Sequence, residues 1–272
     1  MQFAGGKMIR VAVAGAAGRM GRALVQAIDA AEDLTLGAAF EHANSPALGQ
    51  DAGELAATGN LDVVVGSDPA AVIDSFDVVI DFTTPAATLA LAQVCAEAGK
   101  AMVIGTTGFS DEQLGALHSY QNKVAMFTSP NMSVGVNLLF QLVARAAHAL
   151  GDAVDVEVIE AHHRDKIDAP SGTAVRIGEV LAEALDRDLT TDAVYGRQGI
   201  TGARDRSTIG FSTIRGGDIV GEHTVLFAGE GERLEITHRA QSRSNFAQGA
   251  LRAVTFINGK PPGGYSMDDL LA

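Results

Sequence analysis

VAVAGAAGRMGRAL, residues 11–24, passes from a short apolar run to an amphipathic one through three glycines, Gly15, Gly18 and Gly21. Glycines between a strand and a helix permit a tight turn and the close approach of a pyrophosphate, whose charge the amide groups at the helix start can bind. The stretch therefore predicts a dinucleotide-binding turn, although three glycines can also serve only to form a bend.

The next predicted strand, LTLGAAFE (residues 34–41), ends in an acidic residue, Glu41. Glu41 lies 20 residues beyond Gly21, a separation at which a carboxylate can accept hydrogen bonds from the ribose of a dinucleotide. A carboxylate there favours NAD, because it repels the 2′-phosphate of NADP, whereas a protonated His42 can pair with that phosphate. We therefore expect NADH to be used at least as well as NADPH.

Short apolar runs alternate with longer helical patterns from Ile9 to about Pro130, which is typical of βαβ units that build a parallel sheet. Two predicted strands end in the motifs DFTTP (residues 81–85) and IGTTG (residues 104–108). Because ligands bind at the carboxyl ends of strands in open α/β sheets, these motifs and the glycine turn outline a crevice. Ordinary turn chemistry is the alternative for either motif taken alone.

A different pattern begins with the helix SVGVNLLFQLVARAAHALGD (residues 133–152), in which Leu138 and Leu142 share an apolar face. The strand DVEVIEA (residues 155–161), a polar loop and a helix near residues 171–187 follow, and the pattern indicates a second domain. Three β-rich runs separated by glycine turns come next and are predicted to form a meander of antiparallel hairpins. These runs are STIGFSTIR (residues 207–215), DIVGEHTVLFA (residues 218–228) and RLEITHRA (residues 233–240).

The chain of 272 residues is 47% hydrophobic and carries a net charge of -13, which disfavours binding to nucleic acid or to anionic membranes. No apolar run approaches the roughly 20 residues that cross a bilayer, and no signal peptide is evident, so we expect a cytoplasmic protein. The single cysteine, Cys95, is interpreted as a small core residue. His223 and His238, in later β-rich runs, are interpreted as structural.

Positive charge is concentrated in EAHHRDKIDAPSGTA, residues 160–174, directly after a hydrophobic strand. His162, His163, Arg164 and Lys166 lie within five positions of this acidic chain, where an anionic substrate would be bound. Histidine transfers protons near neutral pH and a lysine ammonium can donate one, so the cluster suits acid/base chemistry. A solvated basic loop is the alternative.

The helix that follows the cluster opens at Pro170 and Ser171, and its first amide groups, at Gly172 and Thr173, can bind a carboxylate. A metal site is a third interpretation of this segment, but the spacing of the candidate ligands matches no closed zinc pattern, and we predict no bound metal. Those candidate ligands are His162, His163, Asp165 and Asp168.

Several motifs together resemble the bacterial 4-hydroxy-tetrahydrodipicolinate reductases, the family formerly called dihydrodipicolinate reductases. They are AGAAGRMG, IGTTG, SPNMSVGVN and above all EAHHRDKIDAPSGTA, and the similarity runs from Met8 to the end of the chain. The resemblance implies reduction of (2S,4S)-4-hydroxy-2,3,4,5-tetrahydrodipicolinate, a small cyclic dicarboxylate, to 2,3,4,5-tetrahydrodipicolinate. NADH or NADPH would supply the hydride, water would be lost, and the reaction would belong to the diaminopimelate route to lysine.

The resemblance also implies an α/β fold with two domains. Residues 8–132 and 242–272 would form a Rossmann-like dinucleotide-binding domain with a parallel sheet, which the C-terminal helix completes. Residues 133–241 would form an α+β domain with a mixed, largely antiparallel sheet, which binds substrate and assembles four identical subunits.

Residue roles follow from the same similarity. His162 would donate or accept a proton and Lys166 would be the proton donor, so these two are the predicted catalytic residues. His163 would contact a substrate carboxylate, and Gly172 and Thr173 would bind another part of the substrate. The predicted cofactor-binding residues are Gly15, Ala16, Ala17, Gly18, Arg19, Met20, Glu41, His42, Gly105, Thr106, Thr107, Ser129, Pro130, Asn131 and Met132.

Two departures from the family pattern bear on these expectations. His42 stands where many relatives have arginine, and residues 1–7 have no counterpart. Two other functions are compatible with the glycine turn: a related NAD-dependent amino-acid dehydrogenase and a non-catalytic NAD-sensing protein. Neither needs the basic cluster, and the NAD-sensing protein would have no use for Lys166.

Overall fold

The computed structural model describes residues 8–242 and 244–272, and the extension at residues 1–7 lies outside the described residues. In chain order the elements are β1 (Ile9–Ala14), α1 (Arg19–Asp29), β2 (Leu34–Phe40), α2 (Ala52–Ala56), β3 (Val65–Gly66), β4 (Val78–Asp81), α3 (Pro85–Ala98), β5 (Ala101–Ile104), α4 (Asp111–Tyr120), β6 (Ala125–Thr128), α5 (Val134–Leu150), β7 (Asp155–His162), α6 (Gly172–Leu185), α7 (Leu189–Asp192), β8 (Ala193–Val194), β9 (Ile209–Arg215), β10 (Gly221–Ala228), β11 (Arg233–Ala240), α8 (Ser244–Ile257), β12 (Gly263–Tyr265) and α9 (Met267–Leu271).

The chain divides into two compact units. The first comprises the chain up to Val134 together with Ser244–Ala272, and the second begins at Gly135 and occupies the chain between them. The first unit is therefore discontinuous in sequence.

The described residues of the first unit form a seven-stranded sheet in the order β12-β6-β5-β4-β1-β2-β3. All of its pairings between named strands are parallel, which confirms the predicted Rossmann-like sheet. The two edge strands, β3 and β12, were not predicted, because two or three residues carry too little periodicity to identify a strand.

Helices cover both faces of this sheet and complete its core. α8 packs against α1, β4, β5 and β6, and its residues Ala250, Val254 and Ile257 are fully buried. On α3, Cys95 is also fully buried, and burial raises the pKa of its thiol to about 12. The interpretation of Cys95 as a core residue is confirmed.

The second unit contains a five-stranded sheet in the order β11-β10-β7-β9-β8. It is mixed, as predicted: β10 pairs antiparallel with both β11 and β7, whereas β9 pairs parallel with both β7 and β8. The predicted three-strand meander is wrong, since only β10 and β11 form a hairpin. The segment between β7 and β9 includes α6, and a helical crossover of this kind produces a parallel pair.

α5 and α6 cover one face of the mixed sheet. Val143 on α5 and Ile177 and Leu181 on α6 are fully buried there. The apolar face predicted for α5 is the more exposed one, since Leu138 and Leu142 retain 43% and 44% of their accessible surface. The neighbouring face of α5, which contains Val143, packs on the sheet instead.

One segment, Val134–Ala153, is long and apolar enough to cross a membrane by length and composition alone, with a mean hydropathy of 1.2. The expectation that no run approaches this length is therefore wrong. Core helices of soluble proteins meet the same criterion, and this segment includes Arg145 and Asp152.

Candidate active site

The glycine turn joins β1 to α1 and is held against the end of β2. The amide groups of Gly15 and Ala16 donate to the carbonyl oxygen of Phe40 at 2.9 and 3.1 Å. Gly15 has a φ of +70°, in the left-handed region that glycine tolerates. Because the helix N-cap is Gly18, no capping side chain competes for the amide groups of the first turn of α1. An anion can approach these groups.

Glu41, directly after β2, lies beside this turn. Its carboxylate accepts from the amide of Ala17 at 3.0 Å and from that of His42 at 3.3 Å. The structure therefore brings Glu41 into contact with the glycine turn, although Glu41 lies 20 residues beyond Gly21 in the sequence. His42 itself is exposed.

A cavity of about 420 Å³ adjoins Glu41. Its walls are largely apolar and include Phe40, Leu91 and Val94, and Gly15 and Thr83 also line it. A largely apolar cavity next to a carboxylate and a glycine turn suits the adenosine half of a dinucleotide.

The motifs after β4 and β5 are joined by hydroxyl and carboxylate groups. Thr83 donates from its amide to the hydroxyl oxygen of Thr106 at 3.0 Å, and Thr88 donates to the same oxygen at 3.1 Å. Asp81 is fully buried, which raises the pKa of its carboxyl, and it accepts from both the amide and the hydroxyl of Thr83. These contacts fix the carboxyl edge of the sheet.

The predicted cofactor residues all follow the carboxyl ends of β1, β2, β5 and β6, which meet at one edge of the parallel sheet. Four of them have buried side chains: Ala16, Thr106, Ser129 and Met132, with 2%, 6%, 3% and 1% of their surface exposed. Such residues offer a ligand their backbone rather than their side chains. In the segment after β6, Ser129 donates from its hydroxyl to the carbonyl of Asn131 at 2.8 Å, which holds that loop in a turn.

In the second unit, His162 ends β7 and is 8% exposed. Its Nδ1 lies 2.7 Å from Oε2 of Glu160, two residues earlier on the same face of the strand. A β-carbon built on Gly221 would lie 3.0 Å from Nε2 of His162, so glycine leaves room for this ring. The ring of His223 contacts that of His162 edge-on, with centroids 5.1 Å apart.

Lys166 lies in the loop after β7. Its Nζ donates to both carboxylate oxygens of Asp168, at 2.7 and 2.8 Å. His163 lines a surface cavity of about 430 Å³ together with Gly217 and Asp218. The loop thus carries a histidine and a lysine at the surface immediately beyond the buried His162.

The start of α6 is built around Ser171. Its hydroxyl caps the helix by accepting from the amide of Ala174 at 3.2 Å, and it also pairs with Nε2 of His223 at 2.9 Å. A β-carbon built on Gly172 would meet nothing within 4 Å, so the first turn of the helix opens onto free space. An anion can reach the helix start there.

Among residues 8–242 and 244–272, no group of three or more potential ligands is placed to hold a metal ion. Two of the four residues considered in the metal interpretation have other partners: His162 pairs with Glu160, and Asp168 pairs with Lys166.

Two sequence-family models match the chain in succession. The model described as dihydrodipicolinate reductase, N-terminus, matches residues 9–132, and the one described as dihydrodipicolinate reductase, C-terminus, matches residues 135–271. The chain belongs to the dihydrodipicolinate reductase family.

Individual relatives agree with this assignment. The chain is 56% identical over 264 residues to a protein of Hahella chejuensis named 4-hydroxy-tetrahydrodipicolinate reductase. The aligned region covers 97% of this chain and 99% of that protein. A solved structure of dipicolinate-bound dihydrodipicolinate reductase from Paenisporosarcina sp. TG-14 is 26% identical, with a TM-score of 0.77, and covers 95% of this chain and 97% of that one. An amine dehydrogenase from Mycobacterium smegmatis, 16% identical with a TM-score of 0.57 over 96% of this chain and 95% of that one, shares the fold alone.

This member of the dihydrodipicolinate reductase family contains site residues that sequence reasoning missed. Glu160 lies within the quoted motif but was given no role, and Arg215, which pairs with it, is 55 residues away. Glu160 alternates with Val156 and Val158 along β7 and lies on the same buried face of the strand. This position in the sequence could have indicated the site, because a buried carboxylate requires a partner. His223, interpreted as structural, is buried between Ser171 and His162.

The free energy of unfolding of this reductase-family protein is expected to fall on acidification below neutral pH. Burial lowers the pKa of His223 to about 4, so between pH 6.5 and 4 the unfolded chain takes up a proton that the folded protein excludes. Complete loss of this contribution lowers the free energy of unfolding by about 3 kcal/mol. Glu160 acts in the same direction at lower pH: despite its burial, Arg215 and other donors lower the pKa of its carboxyl to about 2.

Denaturant titrations between about pH 4 and pH 7 measure this effect. His223→Gln should flatten the pH dependence, whereas His118→Gln, at an exposed histidine of α4, should keep the wild-type slope. An equal slope in the His223 variant would contradict the assignment.

Proposed function

We propose that the protein is a 4-hydroxy-tetrahydrodipicolinate reductase, which reduces (2S,4S)-4-hydroxy-2,3,4,5-tetrahydrodipicolinate to 2,3,4,5-tetrahydrodipicolinate with loss of water, in the route to diaminopimelate and lysine. One observation carries the proposal. The side chains of Glu160 and Arg215 connect His162, the start of α6 and Asp168. Asp168 is the ion-pair partner of Lys166. Acid/base groups and an anion-binding helix start in one place suit a dicarboxylate.

The first unit would bind a nicotinamide dinucleotide, which supplies the hydride. The amide groups at the start of α1 suit the pyrophosphate, and the Glu41 carboxylate suits a ribose diol. Of the other proposed contacts, Gly105, Thr107 and the segment Ser129–Met132 follow β5 and β6 at the same edge of the sheet.

In the second unit, the residues would divide the work between binding and proton transfer. His163 and the amide groups of Gly172 and Thr173 would hold the substrate carboxylates. Nζ of Lys166 would donate a proton to the substrate, and Nε2 of His162 would donate or accept one. Since Nζ is paired with Asp168, substrate binding must compete with that ion pair.

Glu41 and His42 set the expected cofactor preference. The Glu41 carboxylate faces the glycine turn and would repel a 2′-phosphate, and the exposed His42 would offset this repulsion only when it is protonated. We expect kcat/KM with NADH to be at least equal to that with NADPH.

The test couples the protein to the enzyme that makes its substrate from pyruvate and aspartate semialdehyde, and follows NADH and NADPH oxidation by absorbance. Rapid oxidation that depends on both precursors is the expected result. If the folded protein binds NADH but oxidises neither cofactor, the substrate assignment fails and only the dinucleotide site stands.

A homotetramer in the cytoplasm is part of the proposal. The face of the mixed sheet opposite α5 and α6 carries Ile214, which is 50% exposed, beside polar side chains such as Thr224 and Thr237. A second copy of this face would cover it. A monomeric mass by light scattering would contradict the assembly.

A further inference from the structure

We propose that the pair of buried Glu160 and half-buried Arg215 is a positioning device for the reduction, which orients His162, the Lys166 loop and the start of α6 as one group. The inference rests on the proposed function, because it concerns how that site is held ready. Neither residue would touch the reacting atoms.

Glu160 is 1% exposed and accepts from four donors. Its Oε1 accepts from the amide of Ser171 at 3.0 Å and from Nη2 of Arg215 at 2.8 Å. Its Oε2 accepts from Nη1 of Arg215 at 2.8 Å and from Nδ1 of His162 at 2.7 Å. One carboxylate therefore contacts both the proposed proton-transfer histidine and the helix start proposed to bind substrate.

The contact with Glu160 selects the tautomer of His162. An ionised carboxylate only accepts hydrogen bonds, so Nδ1 must carry the hydrogen, and in the neutral ring Nε2 keeps the lone pair. The other ionisable groups around the ring are Arg215 on β9 and His223 on β10. Nδ1 is thus assigned by its partner on the same strand, and Nε2 is left to exchange a proton.

Arg215 extends the connection to the Lys166 loop. Besides its two contacts with Glu160, its Nη2 donates to the backbone carbonyl of Asp168. The side chain of Asp168 in turn binds Nζ of Lys166. The position of the lysine loop is therefore set by the same guanidinium that fixes the carboxylate.

Stability alone does not explain a pair of this kind. Replacing a buried ion pair with apolar side chains of similar volume is often neutral or stabilising, because desolvation of the charges offsets their attraction. The hydrogen bonds of Glu160 and Arg215 attach the loop and the helix start, residues 166–171, to residues 160–162 and 215 of the paired strands β7 and β9. Positioning explains the cost of burying the Glu160 carboxylate and part of the Arg215 guanidinium.

Glu160→Gln tests the tautomer directly. The NH2 group of the glutamine would replace one carboxylate oxygen, and in either orientation it would face two hydrogen-bond donors. Of the donors around Glu160, only Nδ1 of His162 can become an acceptor, by moving its hydrogen to Nε2. We expect the His162 ring to change tautomer and kcat to fall on the order of 100-fold. Affinity for dipicolinate, measured by calorimetry, should change less than about threefold, because the Ser171 contact can persist.

Nitrogen-15 NMR of histidine-labelled protein reads the tautomer, with His162→Gln used to assign the signal. The matched control is Asp77→Asn, which breaks a similar two-point pair with Arg10 in the first unit, at 2.6 and 3.1 Å. This control should keep the wild-type tautomer and kcat. If Glu160→Gln instead keeps both, or loses activity only in proportion to thermal stability with the tautomer unchanged, the inference is overturned.

Arg215→Lys provides a second test should Glu160→Gln fail to fold. A lysine keeps the charge but cannot bridge both carboxylate oxygens and the carbonyl of Asp168. We expect an unchanged His162 tautomer with a raised KM and weaker dipicolinate binding, and wild-type values for both would overturn the inference. If the wild-type protein shows no turnover, the proposed function itself is refuted. The two variants, by contrast, test only the positioning role of Glu160 and Arg215.

Discussion

Lys166→Ala is expected to lower kcat/KM for the coupled reduction by about 10³-fold, the range measured for loss of a general acid. Nζ of Lys166 is the proposed proton donor, and alanine offers no replacement. The proposed dinucleotide contacts lie in the first unit, so the affinity for NADH should stay unchanged. The measurements are steady-state rates with the substrate generated in place and NADH binding followed by fluorescence.

Lys123→Ala is the control for this prediction, since Lys123 is an exposed lysine of the first unit, just before β6. Its rate should equal that of the wild type. If Lys166→Ala retained more than about a tenth of the wild-type kcat/KM, another group would have to donate the proton.

Gly21→Ala is expected to abolish measurable NADH binding and to destabilise the first unit by about 3 kcal/mol. A β-carbon at Gly21 would overlap the carbonyl oxygen of Gly15 and lie 2.6 Å from Cα of Ala16. Both of those contacts are backbone, which cannot rotate away. The glycine turn would have to move, and with it the amide groups proposed to bind the pyrophosphate.

Gly115→Ala is the matched control, because Gly115 also lies inside a helix, α4, but a β-carbon there would meet nothing within 4 Å. This variant should be more stable than the wild type by about 0.5 kcal/mol. Calorimetric titration with NADH and thermal unfolding compare the two. Wild-type NADH affinity in Gly21→Ala would show that the turn does not contact the cofactor.

The parallel sheet, and the edge at which its strands end, could be predicted because their signals are local. The glycine turn and Glu41 each lie next to a strand, and parallel strands bring their carboxyl ends to one edge whatever the remaining topology. The structure adds what spacing does not show: Glu41 binds the amide of Ala17 directly.

The order of strands in the second unit could not be predicted in the same way. Glycine turns between β9, β10 and β11 indicate reversals of the chain, but they do not say which strand lies at the centre. β7 takes that place between β9 and β10 through contacts distant in sequence. The same distance hides Arg215 from any motif, although Glu160 lies within the most distinctive one.

The interruption of the first unit by the second affects how the chain can fold while it is being made. A ribosome releases the whole second unit before α8 emerges, yet α8 supplies Ala250, Val254 and Ile257 to the core of the first unit. Nascent chains generally fold their amino-terminal domain first. Here the amino-terminal strands must wait for α8, so the unit that emerges second is the first whose core is complete.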